Sequence, residues 1–138
     1  MNRVTGRCLC GAVRFTADAV EPHFHACHCG ICRRWSGGPV FAASVEGLSI
    51  QGREHVTAYA SSEWAERAFC KVCGSHLYYY LKPADRYLVT VGAFDDAARF
   101  ELAGEIFVDN KPGGYALAGD HERLTEAETL ARFAAAQG

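Results

Sequence analysis

Phe69-Cys70-Lys71-Val72-Cys73-Gly74 is the stretch that decides how this chain folds. Two thiols three positions apart, with a glycine directly after them that can take positive φ, make a turn able to chelate a metal ion. A second close pair lies far upstream in Gly6-Arg7-Cys8-Leu9-Cys10-Gly11, with a glycine on each side. Together Cys8, Cys10, Cys70 and Cys73 supply four thiolates for one tetrahedral site with zinc–sulfur bonds of roughly 2.3 Å. A shared ion would clasp an early segment to a late one, and Lys71 would offset part of the negative charge of the tetrathiolate. Disulfides, a redox dithiol at Cys70 and Cys73, and an iron–sulfur cluster are the competing uses of these thiols. Against them, seven cysteines is an odd number, and no thioredoxin-like βαβ pattern surrounds Cys70. Sulfur ligands alone do not choose the metal. Structural zinc is the expectation.

The remaining three cysteines fall in His25-Ala26-Cys27-His28-Cys29-Gly30-Ile31-Cys32-Arg33-Arg34. If the other four fill one site, Cys27, Cys29 and Cys32 form a set of three. Three protein ligands with an exchangeable fourth position distinguish catalytic from structural zinc, so an open second zinc and two zinc ions per chain are expected. A histidine could close the set instead. His25 and the distant His76 are the candidates, since an extended backbone would turn His28 away from its flanking cysteines. Three thiolates make zinc a weak Lewis acid, better suited to holding a substrate thiolate than to making hydroxide. Arg33 and Arg34 are candidate substrate-binding residues that would steer an anionic thiol, or else they are solvated surface residues. His28 is the candidate catalytic residue for the proton transfer that thiol–aldehyde chemistry requires.

Composition narrows the classes. The chain has 138 residues, 49% hydrophobic and 22% charged, with a formal net charge of −2. That length fits one domain over 1–138, large enough to bury a core without staples. No basic field favours nucleic acid, and no apolar run approaches the roughly 20 residues needed to span a bilayer. The stretch from Met1 to Gly6 lacks an apolar core, so no secretory signal is expected and a reducing cytoplasm is the expected compartment. Nothing in the sequence fixes the oligomeric state.

The flanking pattern is that of strands. Val13, Phe15 and Ala17 alternate with Arg14 and Thr16, a period of two. Short apolar runs follow at Val40–Ala43, Leu48–Gln51, Val56–Ala60, Trp64–Phe69, Ser75–Leu81, Tyr87–Val91 and Glu105–Asp109. Runs this short, punctuated by Gly, Pro and Asp, predict a mainly antiparallel β domain. Ile31–Ser36 reads as a short helix ended by Gly37-Gly38-Pro39. The tail reads as a helix opened by a Thr125/Glu128 capping box, with Leu130, Phe133 and Ala134 as the stripe that packs on the sheet.

Three blocks carry a resemblance: Gly6-x-Cys8-x-Cys10-Gly11-Ala12-Val13, Cys27-His28-Cys29-x-x-Cys32-Arg33, and Phe69-Cys70-x-x-Cys73-Gly74-Ser75-x-Leu77. With a later Ile106-Phe107-Val108-Asp109-Asn110-Lys111 segment, they resemble the signatures of the glutathione-dependent formaldehyde-activating (GFA, or CENP-V/GFA) family of the Mss4-like superfamily. The resemblance implies a mainly β, Mss4-like β-tent of antiparallel strands with short helices and a C-terminal helix. It also implies a structural zinc on Cys8, Cys10, Cys70 and Cys73 and a second zinc on Cys27, Cys29 and Cys32. The implied activity is that of a carbon–sulfur lyase of the S-(hydroxymethyl)glutathione synthase type, with a small thiol such as glutathione and an aldehyde as partners. A non-catalytic zinc-stabilised binding module is the alternative that the Mss4-like relatives imply. The chain departs from the family pattern after Lys111-Pro112, where Gly113-Gly114-Tyr115 stands in place of a frequent tryptophan.

Overall fold

The computed structural model describes residues 3–137. Twelve strands and two α-helices are found among them, with four short 3-10 turns. The strands are β1 (Val4–Arg7), β2 (Arg14–Ala17), β3 (Ala19–Val20), β4 (His23–Cys27), β5 (Val40–Glu46), β6 (Ser49–Gln51), β7 (Val56–Ala60), β8 (Ala65–Cys70), β9 (His76–Leu81), β10 (Arg86–Thr90), β11 (Glu101–Ile106) and β12 (Glu122–Arg123). The helices are α1 (Gly30–Ser36) and α2 (Glu126–Gln137). The chain divides into two compact units, one running up to Phe24 and resuming over Ala42–Glu101, the other formed by His25–Phe41 and the residues from Leu102 onward.

The first unit holds most of the sheet. β7, β8, β9, β10 and β5 lie side by side in that order, and β3 pairs with β5. β1, β2 and β6 form a small second sheet. Alternation places the apolar set inside as expected: Val13, Phe15 and Ala17 are all buried, and Arg14 faces out. They share a core with Val45, Leu77, Val89 and Phe94. Phe15 meets Phe94 edge-on with ring centroids 5.6 Å apart, a favoured aromatic geometry. Gly6 permits this packing, because a Cβ there would lie 2.2 Å from the Phe15 ring.

In the second unit β4, β11 and β12 are neighbours, with Gly104 opposite Glu122 and Glu105 opposite Arg123 in parallel register. α1 ends as the glycines suggest. Gly37 takes φ 81° and its N–H bonds the Arg33 carbonyl.

Two expectations are corrected. The apolar run at Glu105–Asp109 leaves the strand after Ile106, where Phe107 takes φ 58° and Val108–Asn110 form a 3-10 turn. The tail is helical, and both capping-box bonds form: Thr125 N–H to Glu128 Oε1 at 2.9 Å and Glu128 N–H to Thr125 Oγ1 at 3.2 Å. Its stripe, however, does not pack. Leu130 is 51% exposed and Phe133 46%, whereas Thr129 is buried. Polar contacts anchor the helix instead, through Asp109 to the Glu126 N–H at 2.9 Å and Arg132 to Glu122 at 2.6 Å.

Candidate metal centres

The four clasp cysteines converge. Their sulfurs all lie within 4.8 Å of one another, with Cys8 to Cys10 at 3.6 Å and Cys10 to Cys70 at 3.9 Å. An ion bonded to four tetrahedral sulfurs at roughly 2.3 Å would space them about 3.8 Å apart. The group therefore fits a tetrahedral thiolate-loving ion such as zinc.

Two tight turns aim the sulfurs. In one, the Cys8 N–H bonds Val13 O at 3.0 Å and Gly11 takes φ 82°. In the other, the Cys70 N–H bonds Ser75 O at 2.9 Å, the Gly74 N–H bonds Cys70 O at 2.7 Å, and Gly74 also takes φ 82°. The Leu9 N–H reaches Ser75 Oγ at 3.0 Å and so ties the turns together. Backbone N–H groups of Val13 and Ala12 approach the sulfurs of Cys8 and Cys10 at 3.4 and 3.5 Å, stabilising thiolate charge. The Ser75 hydroxyl and N–H pull the Cys73 thiol down to about 5. Beside this site an open groove of about 610 Å³ is lined by Cys8, Ser75, His76, Thr90 and Phe94 among others.

The second group consists of Cys27, Cys29 and Cys32, whose sulfurs also lie within 4.8 Å of one another. β4 delivers Cys27, Cys29 is the N-cap of α1, and Cys32 is the buried residue of that helix. The Cys32 N–H bonds the Cys29 sulfur at 3.3 Å. Hydrogen bonds from Cys27 and Cys32 hold the Cys29 thiol down to about 2, while contacts with Cys29 and Cys32, together with burial, push Cys27 up. Three sulfurs competing for protons are a donor set that a divalent cation would relieve. His25 is not gathered into the group. It is exposed and lies over Gly104, where a Cβ would come within 3.0 Å of its ring.

The sequence model of the glutathione-dependent formaldehyde-activating enzyme family matches residues 3–110. The chain belongs to that family. A Schizosaccharomyces pombe protein described as an uncharacterised lyase is 34% identical over 94% of this chain and 96% of its own length. A Halomonas elongata protein that carries the family's name in its description is 36% identical over 54% of each chain. A crystal structure of a Rhodobacter sphaeroides protein superimposes with a TM-score of 0.56 over 86% of this chain and 98% of its own, at 22% identity. That match shows the mainly β fold alone.

The structure places the other candidate residues of this GFA chain unevenly. Arg33 is half-buried and Arg34 exposed in the last turn of α1. Arg34 folds back along the helix, so that a Cβ on Gly30 would sit 3.8 Å from its Nη1, one residue from Cys29. His28 turns away from its flanking thiols, as alternation along an extended backbone predicts, and is only 2% exposed. Its Nε2 lies 2.7 Å from Glu105 Oε1, and its backbone N–H bonds Ile106 O at 3.1 Å.

Glu105 is the residue beside His28 that sequence reasoning missed. It is 2% exposed, and its other oxygen receives His121 Nε2 at 2.5 Å and Arg123 Nε at 3.1 Å. Burial alone would raise its carboxyl, but hydrogen bonds from His121 and His28 and the charge of Arg123 outweigh this and hold it below the usual carboxylate range. The available signal is a carboxylate at the head of the apolar stretch Ile106-Phe107-Val108. Tyr115 was also underrated. In the segment where the family often has tryptophan, its hydroxyl reaches His28 Nδ1 at 3.3 Å. Lys111 holds the same turn, bonding the Tyr115 carbonyl and lying 4.5 Å over its ring.

Proposed function

We propose that this chain is a zinc-dependent carbon–sulfur lyase acting on a small thiol–aldehyde adduct, with glutathione as the leading thiol and formaldehyde as the leading aldehyde. The observation that carries the reading is the contrast between a four-sulfur group and a three-sulfur group in one chain. Cys8, Cys10, Cys70 and Cys73 would hold a structural zinc that clasps the first unit. Cys27, Cys29 and Cys32 would hold a second zinc. With three thiolate ligands, that ion would supply an exchangeable position for a substrate sulfur. Ligand thiols must stay reduced, which fits a cytoplasmic setting.

The residues of the chain supply the rest. Arg33 and Arg34 directly follow Cys32 in α1, about one helical turn after Cys29, and would neutralise the carboxylates of a glutathione-like thiol. His28 belongs to the proton-transfer machinery. Because it is buried, it acts through a neighbour rather than by touching substrate. The family's name and the lyase description of the fission-yeast relative support chemistry of this kind.

The test is exchange NMR with carbon-13 formaldehyde and glutathione. Zinc-loaded protein should accelerate exchange between free formaldehyde and the hydroxymethyl adduct in proportion to its concentration. Saturable glutathione binding without acceleration would instead identify a zinc-stabilised binding module, and neither binding nor acceleration would reject both.

A further inference from the structure

β7, Val56-Thr57-Ala58-Tyr59-Ala60, is an edge strand of the first unit. β8 pairs with one side of it, and among the described residues no strand lies on the other. An unprotected edge is a template for another strand, and proteins blunt such edges with charges, prolines, bulges or very short strands. β12, an edge strand of the second unit, has two residues, both charged. β7 has five residues, no charge, no proline and an unbroken register with β8, and Thr57, Ala58, Tyr59 and Ala60 are all exposed. We propose that β7 pairs antiparallel with β7 of a second copy of this chain, about a two-fold axis at Ala58, and that the protein forms a homodimer through this edge.

The backbone is in phase for this pairing. The Lys71 N–H donates to His55 O at 2.8 Å, which makes His55 and Lys71 a hydrogen-bonded pair of the β7–β8 ladder. Alternation along an antiparallel ladder then turns the N–H and C=O groups of Thr57 and Tyr59 toward β8 and those of Val56, Ala58 and Ala60 outward. An axis at Ala58 engages all three outward residues. Ala58 meets its own counterpart, and Val56 meets Ala60 of the other copy, each pair exchanging both hydrogen bonds. Thr57 and Tyr59 of the two copies then stand opposite each other without hydrogen bonds, where side chains approach most closely. Each Tyr59 ring, 65% exposed in the single chain, would pack against a threonine methyl.

Charge at the two ends of β7 selects a second copy as the occupant. Around its start lie the exposed Arg53, Glu54 and Lys71, and around its end lie the exposed Glu63 and the Glu66–Lys82 ion pair at 3.6 Å. The start is net positive and the end net negative. Antiparallel pairing sets the positive end of each strand against the negative end of the other, with Arg53 and Glu63 equally far along the chain from Ala58. Because β7 meets itself, the contact closes at two copies and leaves no free edge on that side. Neither cysteine group lies in β7, so the pairing does not depend on the reaction. One strand pair is a small interface, so the dissociation constant should be on the order of 100 μM.

The test is analytical ultracentrifugation of the full chain under reducing conditions at low salt, over a concentration series that brackets that constant. Wild type should pass from the mass of one chain to that of two as concentration rises. Ala58→Pro removes an outward N–H and leaves the β8 ladder intact, so it should stay at the mass of one chain with a wild-type far-UV circular dichroism spectrum. Arg53→Glu and Glu63→Arg each set like charges against each other at both ends and should raise the dissociation constant about tenfold, and the two combined should restore it. If Ala58→Pro loses the wild-type spectrum, the charge-swap series decides alone. A wild type that keeps the mass of one chain throughout would overturn the proposal. So would a dimer that the charge reversals do not weaken, or one that a folded Ala58→Pro still forms, since either places the contact on another surface.

Discussion

Cys10 and Cys70, 60 positions apart in the chain, bring their sulfurs to 3.9 Å. Such closure costs backbone entropy, so a metal ion held by these four thiols would be part of the folding free energy of this unit. Structural zinc contributes on the order of 10 kcal/mol in small zinc-binding peptides, comparable with the whole stability of a domain. Cys70→Ser should therefore abolish cooperative thermal unfolding of the first unit and change the far-UV circular dichroism. Cys29→Ser should release one metal ion with little change in the spectrum. Serine keeps the N-cap acceptor that Cys29 offers to the Cys32 N–H, so α1 survives the exchange. Equal unfolding of both variants would contradict a division into structural and reactive sites.

Glu105 binds two histidine side chains out of water and the part-exposed Arg123, and its loss leaves them facing no anion. Glu105→Gln should lower stability by about 3 kcal/mol or more, measured by urea denaturation. The pH dependence has a definite sign. A carboxyl held lower in the fold than its unfolded value of about 4.3 contributes stability that is complete above that value and lost as pH falls through the lower folded one. The stability difference between wild type and Glu105→Gln should thus shrink on acidification below about pH 4.3. A difference that stays constant would show that Glu105 is not ionised in the fold.

Arg34 extends back toward Gly30, beside the second thiol group. If it receives a substrate carboxylate, Arg34→Ala should raise KM for glutathione about fivefold to tenfold, roughly 1 kcal/mol, with kcat nearly unchanged. A thiol without carboxylates, such as 2-mercaptoethanol, should show no change. Equal effects on both thiols would place the arginine's role in the fold rather than in binding.

The C-terminal helix offers a contrast in packing. Leu130 and Phe133 are exposed, so their replacement by alanine should cost less than about 0.5 kcal/mol. Thr125→Ala removes a capping acceptor and should cost about 1 kcal/mol. Thermal melts of the three variants settle the order.

These contrasts show where sequence reasoning succeeds and where it stops. The cysteine sets were legible because short chelating spacings restrict geometry within a few residues, and the Val13–Phe15–Ala17 alternation marks its buried face locally. The Glu105 network was not. His28 and Glu105 meet across 77 positions, and nothing local in either segment names the other. The capping box of α2 was readable because it closes within one turn. The destination of Leu130 and Phe133 depends on the surface the helix meets, which helical spacing does not describe. Phe107 ends β11 early through a positive φ that a β-like apolar run conceals.

A closed site and an open one, each holding a zinc ion, are the centre of the proposed chemistry. Metal content per chain, measured by elemental analysis on protein purified under reducing conditions with zinc supplied, tests this most directly. Two zinc ions per wild-type chain and one in Cys29→Ser are predicted. A single zinc in wild type with no change in Cys29→Ser, or iron in place of zinc, would contradict it.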